Sequence, residues 1–148
     1  MAPEAFVLSP CATIDVPALA DVYLTAFASN PFNHYTFPRS TIGEEEMYRW
    51  LMDRFTKLFL KREIHVFKIS EVNTGKVVAF CRWSFPISLT EEEKAERERE
   101  KKEVEEERKE GRDSTWPTGA NLENCDLKFG ALGRMTENYV VKEDMYGE

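Results

Sequence analysis

The stretch IHVFKISEVNTGKVVAFCRWSF, residues 64–85, carries the clearest structural signal in the chain. Two runs rich in β-branched and aromatic residues, 65–72 and 76–85, flank a short turn that contains Asn73 and Gly75. Such runs favour strands, and Asn and Gly favour the tight turns that join them. The pattern therefore predicts an antiparallel hairpin. Its second run is apolar on both faces, which is typical of a strand inside a sheet that is covered on both sides.

Three segments with regular apolar spacing precede the hairpin. Residues 4–12 predict a first strand, and residues 15–29 and 41–62 predict two helices, because their apolar side chains recur three and four positions apart. We expect Asp15 to be the N-cap of the first helix. Thr41 and Glu44 have the spacing of a capping box for the second. The buried stripe of that second helix should comprise Met47, Trp50, Leu51, Phe55, Leu58 and Phe59.

Two segments of opposite character follow the hairpin. Residues 91–110 contain 11 acidic and 7 basic residues, and their only apolar residues are Ala95 and Val104. They predict a solvated helix or a partly disordered insertion over 90–111, capped by Thr90 and Glu93. A docking surface for a partner is the alternative. Residues 122–139 predict a last helix with one apolar face, formed by Leu122, Cys125, Phe129, Leu132, Met135 and Tyr139.

The order of these segments predicts the fold class. It is β-α-α-β-β-α with a long charged helical insertion, so we expect an α+β protein with a small, mostly antiparallel sheet. The 148 residues suit a single domain, 1–148, with one core.

Composition narrows the function classes. The formal net charge is −7, from 27 acidic and 20 basic residues, which argues against nucleic-acid binding and against an anionic membrane surface. No apolar run is long enough to span a bilayer, and no secretory leader is recognisable at the N-terminus. The three cysteines are odd in number and far apart, which is typical of thiols in a reducing compartment. We expect a cytoplasmic protein.

The segment NPFNHYTFP, residues 30–38, is unusual for a connection between two helices. It holds Phe32, His34, Tyr35 and Phe37, whereas a surface loop is normally polar. Either the segment folds back into the core, or it lines a pocket, and the sequence leaves both possibilities open.

Few residues have the spacing that a catalytic site or a metal site requires. His34 and His65 are 31 positions apart and no cysteines are closely spaced, so we expect no metal site. Cys81 lies on a predicted strand, where a packed thiol is the simpler interpretation than a nucleophile. Only His34, among the aromatic residues of 30–38, has surroundings that would suit a general base or a substrate contact. A structural histidine is the alternative.

The segment order resembles the first half of a GNAT-type N-acetyltransferase, and most closely the fungal small-molecule branch of that superfamily. The residues that carry the resemblance are IDVPALADVYLTAFASNPFNHYTFP (14–38), VFKISEVNTGKVVAFCRWSFP (66–86) and WPTGANLENCDLKFGALGRM (116–135). The resemblance implies acetyl-CoA as cofactor. It also implies that the connection between the two helices lines the acceptor side of the site. Substrate contacts would then come from Phe32, His34, Tyr35, Phe37 and Trp83, with His34 and Tyr35 as the proton-transfer groups.

One part of the family's pattern is missing from the sequence. The turn Q/R-x-x-G-x-G/A, which binds the pyrophosphate of acetyl-CoA in this superfamily, does not occur, and the fourth strand that precedes it would begin near residues 140–148. The cofactor-binding residues therefore remain unknown. The resemblance covers the acceptor half alone, so we expect an exposed sheet edge that a second copy covers in a homodimer.

Three functions are compatible with these observations. The first is a truncated or partial GNAT acyltransferase that retains the acceptor half and does not transfer acetyl groups alone. The second is a GNAT-derived protein whose aromatic pocket binds a small apolar metabolite, or transforms it by isomerisation or cyclisation. The third is a non-enzymatic interaction module that docks through its charged helix. Binding of acetyl-CoA would separate the first function from the other two.

Overall fold

A computed structural model describes residues 5–139, and the side chains of residues 5–135. Residues 140–148, where the fourth strand was expected to begin, lie outside the described residues. The strands are β1 (Phe6–Pro10), β2 (Ile64–Glu71) and β3 (Val77–Ser84). The helices are α1 (Val16–Ala26), α2 (Pro31–Thr36), α3 (Glu44–Leu58), α4 (Glu91–Lys109), α5 (Leu122–Cys125) and α6 (Ala131–Tyr139), with a π-helical turn, Asp126–Gly130, between the last two. The chain is thus α+β, as predicted.

The described residues group into two compact units. The sheet unit contains residues 5–30 and 47–87, and the helical unit contains residues 31–46 and 88–139. The boundary falls within the first turn of α3. The sequence predicted a single domain, and that assignment stays a prediction.

The sheet of the first unit has three antiparallel strands in the order β1-β2-β3. The predicted hairpin is confirmed, with Phe67 opposite Cys81 and His65 opposite Trp83. Its turn ends at Gly75, whose φ of 69° is a conformation that glycine adopts at little cost. The register shifts between Ile69 and Ser70, so that Val78 of β3 has no partner on β2 and forms a bulge.

One face of this sheet packs on helices of the same unit. Phe80 of β3 meets Phe55 of α3, with ring centroids 5.3 Å apart, and the buried residues Val66 and Ser70 of β2 lie on that same face. The core of the unit consists of Val16, Leu19, Ala20, Met47, Leu51, Phe55, Leu58 and Val66. On the opposite face, Phe6, Leu8 and Trp83 are all more than half exposed.

The position of β3 corrects one prediction. Its two apolar faces indicated a strand inside a sheet, but among residues 5–139 it is an edge strand, and several of its side chains are exposed. The sequence pattern shows which side chains of β3 are apolar, but it does not show which segment or partner packs against them.

The start of α3 corrects a second prediction. The helix begins at Glu44, so Thr41 lies too far upstream for the predicted capping box. The hydroxyl of Thr41 instead donates to the carbonyl oxygen of Gly119 at 2.7 Å. That acceptor is 78 positions away and could not be recognised from local spacing. The end of α3 at Leu58, before Lys61 and Arg62, is also earlier than predicted.

The helical unit contains the charged helix and the last helical segment. Helix α4 has no buried residue, and its predicted capping box is present: the amide of Glu93 donates to the Thr90 hydroxyl, and the amide of Thr90 donates to the Glu93 carboxylate. The last segment is helical as predicted, but a π-helical turn interrupts it and Leu132 and Met135 are exposed. No helix in the described part of the chain is both long and apolar enough to cross a membrane.

Candidate functional site

The aromatic segment 30–38 is a short helix and not the loop that its composition suggested. Helix α2 starts with Pro31, whose fixed φ and missing N–H suit the first helical position. It ends at Thr36, and Pro38 follows two residues later. Tyr35 is 64% exposed, and Phe32 and His34 are also exposed, whereas Phe37 retains only 5% of its surface. The segment therefore sends one aromatic ring inward and leaves two at the surface.

Helix α2 is fixed to the start of α5 by buried hydrogen bonds. The side-chain amide of Asn124 donates to the Thr36 hydroxyl at 2.6 Å, and both residues are buried. The backbone amide of Asn121 donates to the Thr36 carbonyl at 2.9 Å. Asn121 also caps α5, because its side-chain oxygen accepts the amide of Asn124 at 3.1 Å. Since unpaired buried polar groups are costly, these bonds determine where α2 lies on α5.

Within the helical unit, a row of aromatic rings runs from Phe37, directly after α2, to the π-helical turn. The rings of Phe37 and Trp116 have centroids 6.2 Å apart, and Trp116 stacks on Phe129 at 4.9 Å with an interplanar angle of 25°. The ammonium of Lys128 lies 4.1 Å from the ring centroid of Phe32 and 4.9 Å from that of Phe129. These distances are within the range of cation–π interactions. Phe32 thus contacts Lys128 of the π-helical turn, and Phe37 contacts Trp116.

The connection between α4 and α5, residues 110–121, is held by close backbone packing at Gly119. Its φ of 97° is a conformation that favours glycine, and a Cβ at this position would lie 2.5 Å from the carbonyl oxygen of Thr41. The Thr41 hydroxyl bonds to the carbonyl of the same glycine. This contact places the connection, with Trp116 in it, against residues 38–42.

Two adjoining cavities open beside Trp116. Their volumes are about 300 and 470 Å³, which is the size of ordinary small-ligand sites. Both are lined by residues of the connection and of the start of α5, namely Gly111, Arg112, Asp113, Trp116 and Leu122. The larger one, which we call the Trp116 cavity, is also lined by Arg108, Glu123, Cys125, Asp126, Phe129 and Gly130.

Ion pairs and hydrogen bonds to backbone amides hold the polar rims of the two cavities. The Asp113 carboxylate, 5% exposed, accepts from Arg108 Nε at 2.7 Å and from the Thr115 amide at 3.0 Å. Burial alone would raise the pKa of Asp113, but the hydrogen bonds from Thr115 and Arg108 outweigh it, and the pKa lies below its ordinary value. Glu107 accepts from the Ser114 amide at 2.7 Å, which lowers the pKa of Glu107. Both carboxylates are therefore ionised at neutral pH.

Carboxylates outnumber guanidinium groups in the walls of the two cavities. Four carboxylates line the two cavities, Glu107, Asp113, Glu123 and Asp126, against the two guanidinium groups of Arg108 and Arg112. Arg108 pairs with Asp113, Arg112 pairs with Glu110, and Arg134, which lines neither cavity, lies 3.6 Å from the Asp126 carboxylate. A flat ring can contact the Trp116–Phe129 wall while a positive group meets the carboxylates. The walls are less suited to phosphate groups, which the carboxylates repel.

The residues predicted as site residues have different surroundings. Phe37 packs against Trp116 of the cavity wall, whereas Phe32, His34 and Tyr35 are exposed on α2. Among the described lining residues of the two cavities, none of these four occurs. Trp83 belongs to the sheet unit, where it is 59% exposed. The roles of all five in binding or proton transfer stay predictions.

Sequence reasoning missed Trp116, Phe129 and Asp113. The first two lie within WPTGANLENCDLKFGALGRM, but their side-by-side placement needs the π-helical turn, which has no recognisable spacing. Asp113 directly follows a long charged run, so nothing distinguished it from the solvated carboxylates before it. The Asp-Ser-Thr sequence after a glycine was the one available signal, because these residues favour turns that bind backbone amides.

The thiols and metal-ligating groups form no second site. Within residues 5–139, no cluster of three His, Cys, Asp or Glu side chains could hold a metal ion. Cys11 is partly buried beside the Asp15–Lys68 pair, and burial raises the pKa of its thiol, which makes it a poorer nucleophile.

The chain was also compared with known proteins. No protein-family model, no curated protein and no solved structure matches it. The sequence resemblance and the Trp116 cavity are therefore the two indications of function.

Proposed function

We propose that the chain is an acceptor-binding protein of the GNAT acyltransferase lineage, and that it binds a small amphipathic amine in the Trp116 cavity. The observation that carries this proposal is the aromatic row Phe37–Trp116–Phe129. It connects α2, the segment in which the resemblance locates the acceptor side, to a cavity of ligand size. The acidic walls of that cavity favour a cation, and an amine is the acceptor in N-acyl transfer.

The strand order supports the lineage without testing it. A first strand, helices, an antiparallel hairpin in the order β1-β2-β3 and a charged helix after the hairpin are the arrangement that the resemblance implies. Many functions share one fold, so the order of elements supports ancestry, and the cavity must support the activity.

We further propose that this chain alone does not transfer acetyl groups. Acyl transfer requires the thioester to be held beside the amine, and most of the rate enhancement comes from that proximity. The pyrophosphate-binding turn of the superfamily is absent from the sequence, and the described cavities have acidic walls. Acetyl-CoA would have to bind elsewhere or with a partner's help.

Calorimetry with matched ligands tests the proposal. We expect phenethylamine to bind with one-to-one stoichiometry, and phenethyl alcohol, which has the same ring but no charge, to bind several-fold more weakly. Trp116→Leu should weaken amine binding about three- to tenfold, because an aromatic contact contributes roughly 0.5–1.5 kcal/mol beyond its area. Trp50→Leu, in the sheet unit, is the control and should bind like the parent protein.

Three results separate the alternatives. Equal affinity for the amine and the alcohol would contradict an amine acceptor and favour a pocket for apolar metabolites. Micromolar binding of acetyl-CoA, with coenzyme A as control, would contradict the second part of the proposal and indicate that the chain forms a cofactor site by itself. His34→Ala tests the predicted substrate contact. Weaker amine binding with an unchanged melting temperature supports that contact, and a large loss of stability identifies a structural histidine.

A further inference from the structure

Strand β3 combines the sequence of a central strand with the position of an edge strand. Its eight residues, VVAFCRWS, contain one charge, at Arg82, and no proline. Edge strands normally carry charges or prolines that prevent pairing with another chain. Among residues 5–139, no strand pairs with the outer edge of β3. Cys81 and Arg82 are exposed, and Trp83 is 59% exposed.

We propose that this edge pairs with the same edge of a second copy, so that two sheets join into one six-stranded sheet. An antiparallel ladder allows a strand to pair with itself about a two-fold axis, which is the commonest symmetry of protein dimers. Such a pairing makes β3 a central strand, as its sequence indicates. It also satisfies the backbone N–H and C=O groups that point away from β2.

The geometry of β3 leaves two possible registers. In an antiparallel pair, directly opposite residues point to the same face of the sheet. A two-fold axis perpendicular to the sheet keeps the helices of both copies on one side. It therefore pairs odd-numbered residues with odd-numbered ones and even-numbered residues with even-numbered ones. The bulge at Val78 and the end of the strand at Ser84 confine regular pairing to residues 79–84. Either Cys81 or Arg82 can lie opposite its own counterpart, and each choice gives five residue pairs within this range.

Charge and side-chain size favour the register in which Cys81 lies opposite its own counterpart. Arg82 then lies opposite Phe80 of the other copy, so that the only charge on the strand does not face its equivalent. A shift by one residue on each copy, with Arg82 opposite Arg82, would bring two like charges together. Trp83 lies opposite Ala79, which leaves room for the large ring beside a small side chain. Because β3 can pair with its own copy in this register without opposing like charges, we infer a second copy as the partner.

The test combines mass with a position-specific cross-link. Light scattering across a micromolar concentration series should approach twice the chain mass of 17.2 kDa. Directly opposite Cα atoms in an antiparallel pair are about 4.5–5.5 Å apart. A short bismaleimide should therefore join Cys81 to Cys81, and Cys81→Ser should abolish the cross-linked dimer even though Cys11 and Cys125 remain.

Two lysine variants provide the matched comparison. Trp83→Lys places a charge on the edge and should shift the mass to that of a monomer at concentrations where the parent protein is dimeric. Ile14→Lys changes a side chain that is 87% exposed and lies outside β3, so its mass should not change. Circular dichroism checks that both variants are folded. A monomeric parent protein would overturn the proposal. So would a dimer that lacks the Cys81 cross-link and tolerates Trp83→Lys.

Discussion

The ion pair between Asp15 and Lys68 connects the start of α1 to the central strand. The carboxylate oxygen and the ammonium nitrogen are 2.5 Å apart, and the two side chains are only 14% and 22% exposed. The second carboxylate oxygen accepts the backbone amide of Ala12 at 2.8 Å. The hydrogen bond from Ala12 and then that from Lys68 lower the pKa of Asp15 below its ordinary value of 3.8.

Replacement of the Asp15 carboxylate should therefore lower the free energy of unfolding by an amount that depends on pH. Because the folded-state pKa is lowered, the stabilisation is complete above the ordinary pKa of 3.8 and disappears as the pH falls through the folded value. We expect Asp15→Asn to lower the free energy of unfolding by about 1–3 kcal/mol at neutral pH. The difference from the parent protein should decrease below pH 4 and vanish in strong acid. Urea titrations at several pH values measure it.

An exposed ion pair on α3 provides the control. Lys57 and Asp53 are 2.7 Å apart, but both side chains are more than 60% exposed. Solvent-exposed pairs contribute roughly 0–1 kcal/mol, so Asp53→Asn should change stability little at any pH. Equal losses in the two variants would contradict the importance of burial for the Asp15 pair.

The helix caps show how well the hydrogen-bonding roles of single residues could be predicted from the sequence. Thr90 and Glu93 form the expected capping box because both partners lie in the same short segment. Asp15 stands at the predicted N-cap position, yet its carboxylate bonds backward to Ala12 and across to Lys68. Thr41 had the right spacing, but its hydroxyl bonds to Gly119. Local spacing predicts a cap only where no distant group competes for the same oxygen.

At the scale of elements, the first turns of α4 should depend mainly on the N-terminal cap of that helix. None of its residues is buried, and the pairs Glu91–Lys94, Glu96–Arg99 and Glu106–Lys109 lie on its exposed surface. Thr90→Ala should cost the helix about 1 kcal/mol. We expect faster hydrogen exchange at residues 91–95 and an unchanged midpoint of global unfolding. Thr56→Ala, on α3, should leave exchange in α4 unaltered, and a fall of several degrees in the midpoint for Thr90→Ala would show that α4 supports the core.

Elements whose signal is periodic were predicted well, and those formed by tertiary contact were not. The hairpin and helices α1, α3 and α4 follow from alternation, helical spacing or charge, with ends displaced by a few residues. Helix α2 was interpreted as a connection because six residues are too few for a periodic pattern. The π-helical turn and the Trp116 cavity depend on which rings stack, and stacking across 13 positions of sequence leaves no regular spacing.

At the scale of the whole chain, buried side chains are distributed unevenly among the described elements. Elements with more buried side chains should be locally more stable. Strand β2 is paired on both sides and contributes the buried residues Val66 and Ser70, and α3 contributes four buried side chains. Helix α4 contributes none. Segments with few buried contacts open at lower free-energy cost than segments in the core.

Hydrogen exchange followed by mass spectrometry should resolve this gradient within one sample. We expect amides of β2 to exchange slowest and those of α4 to exchange at least about tenfold faster, because an isolated helix of this length is only marginally stable in water. The outer edge of β3 supplies an internal comparison, since pairing with a second copy should slow its exchange as protein concentration rises. Protection of α4 equal to that of β2 would contradict this gradient. It would mean that the charged helix is covered, as the interaction-module interpretation requires.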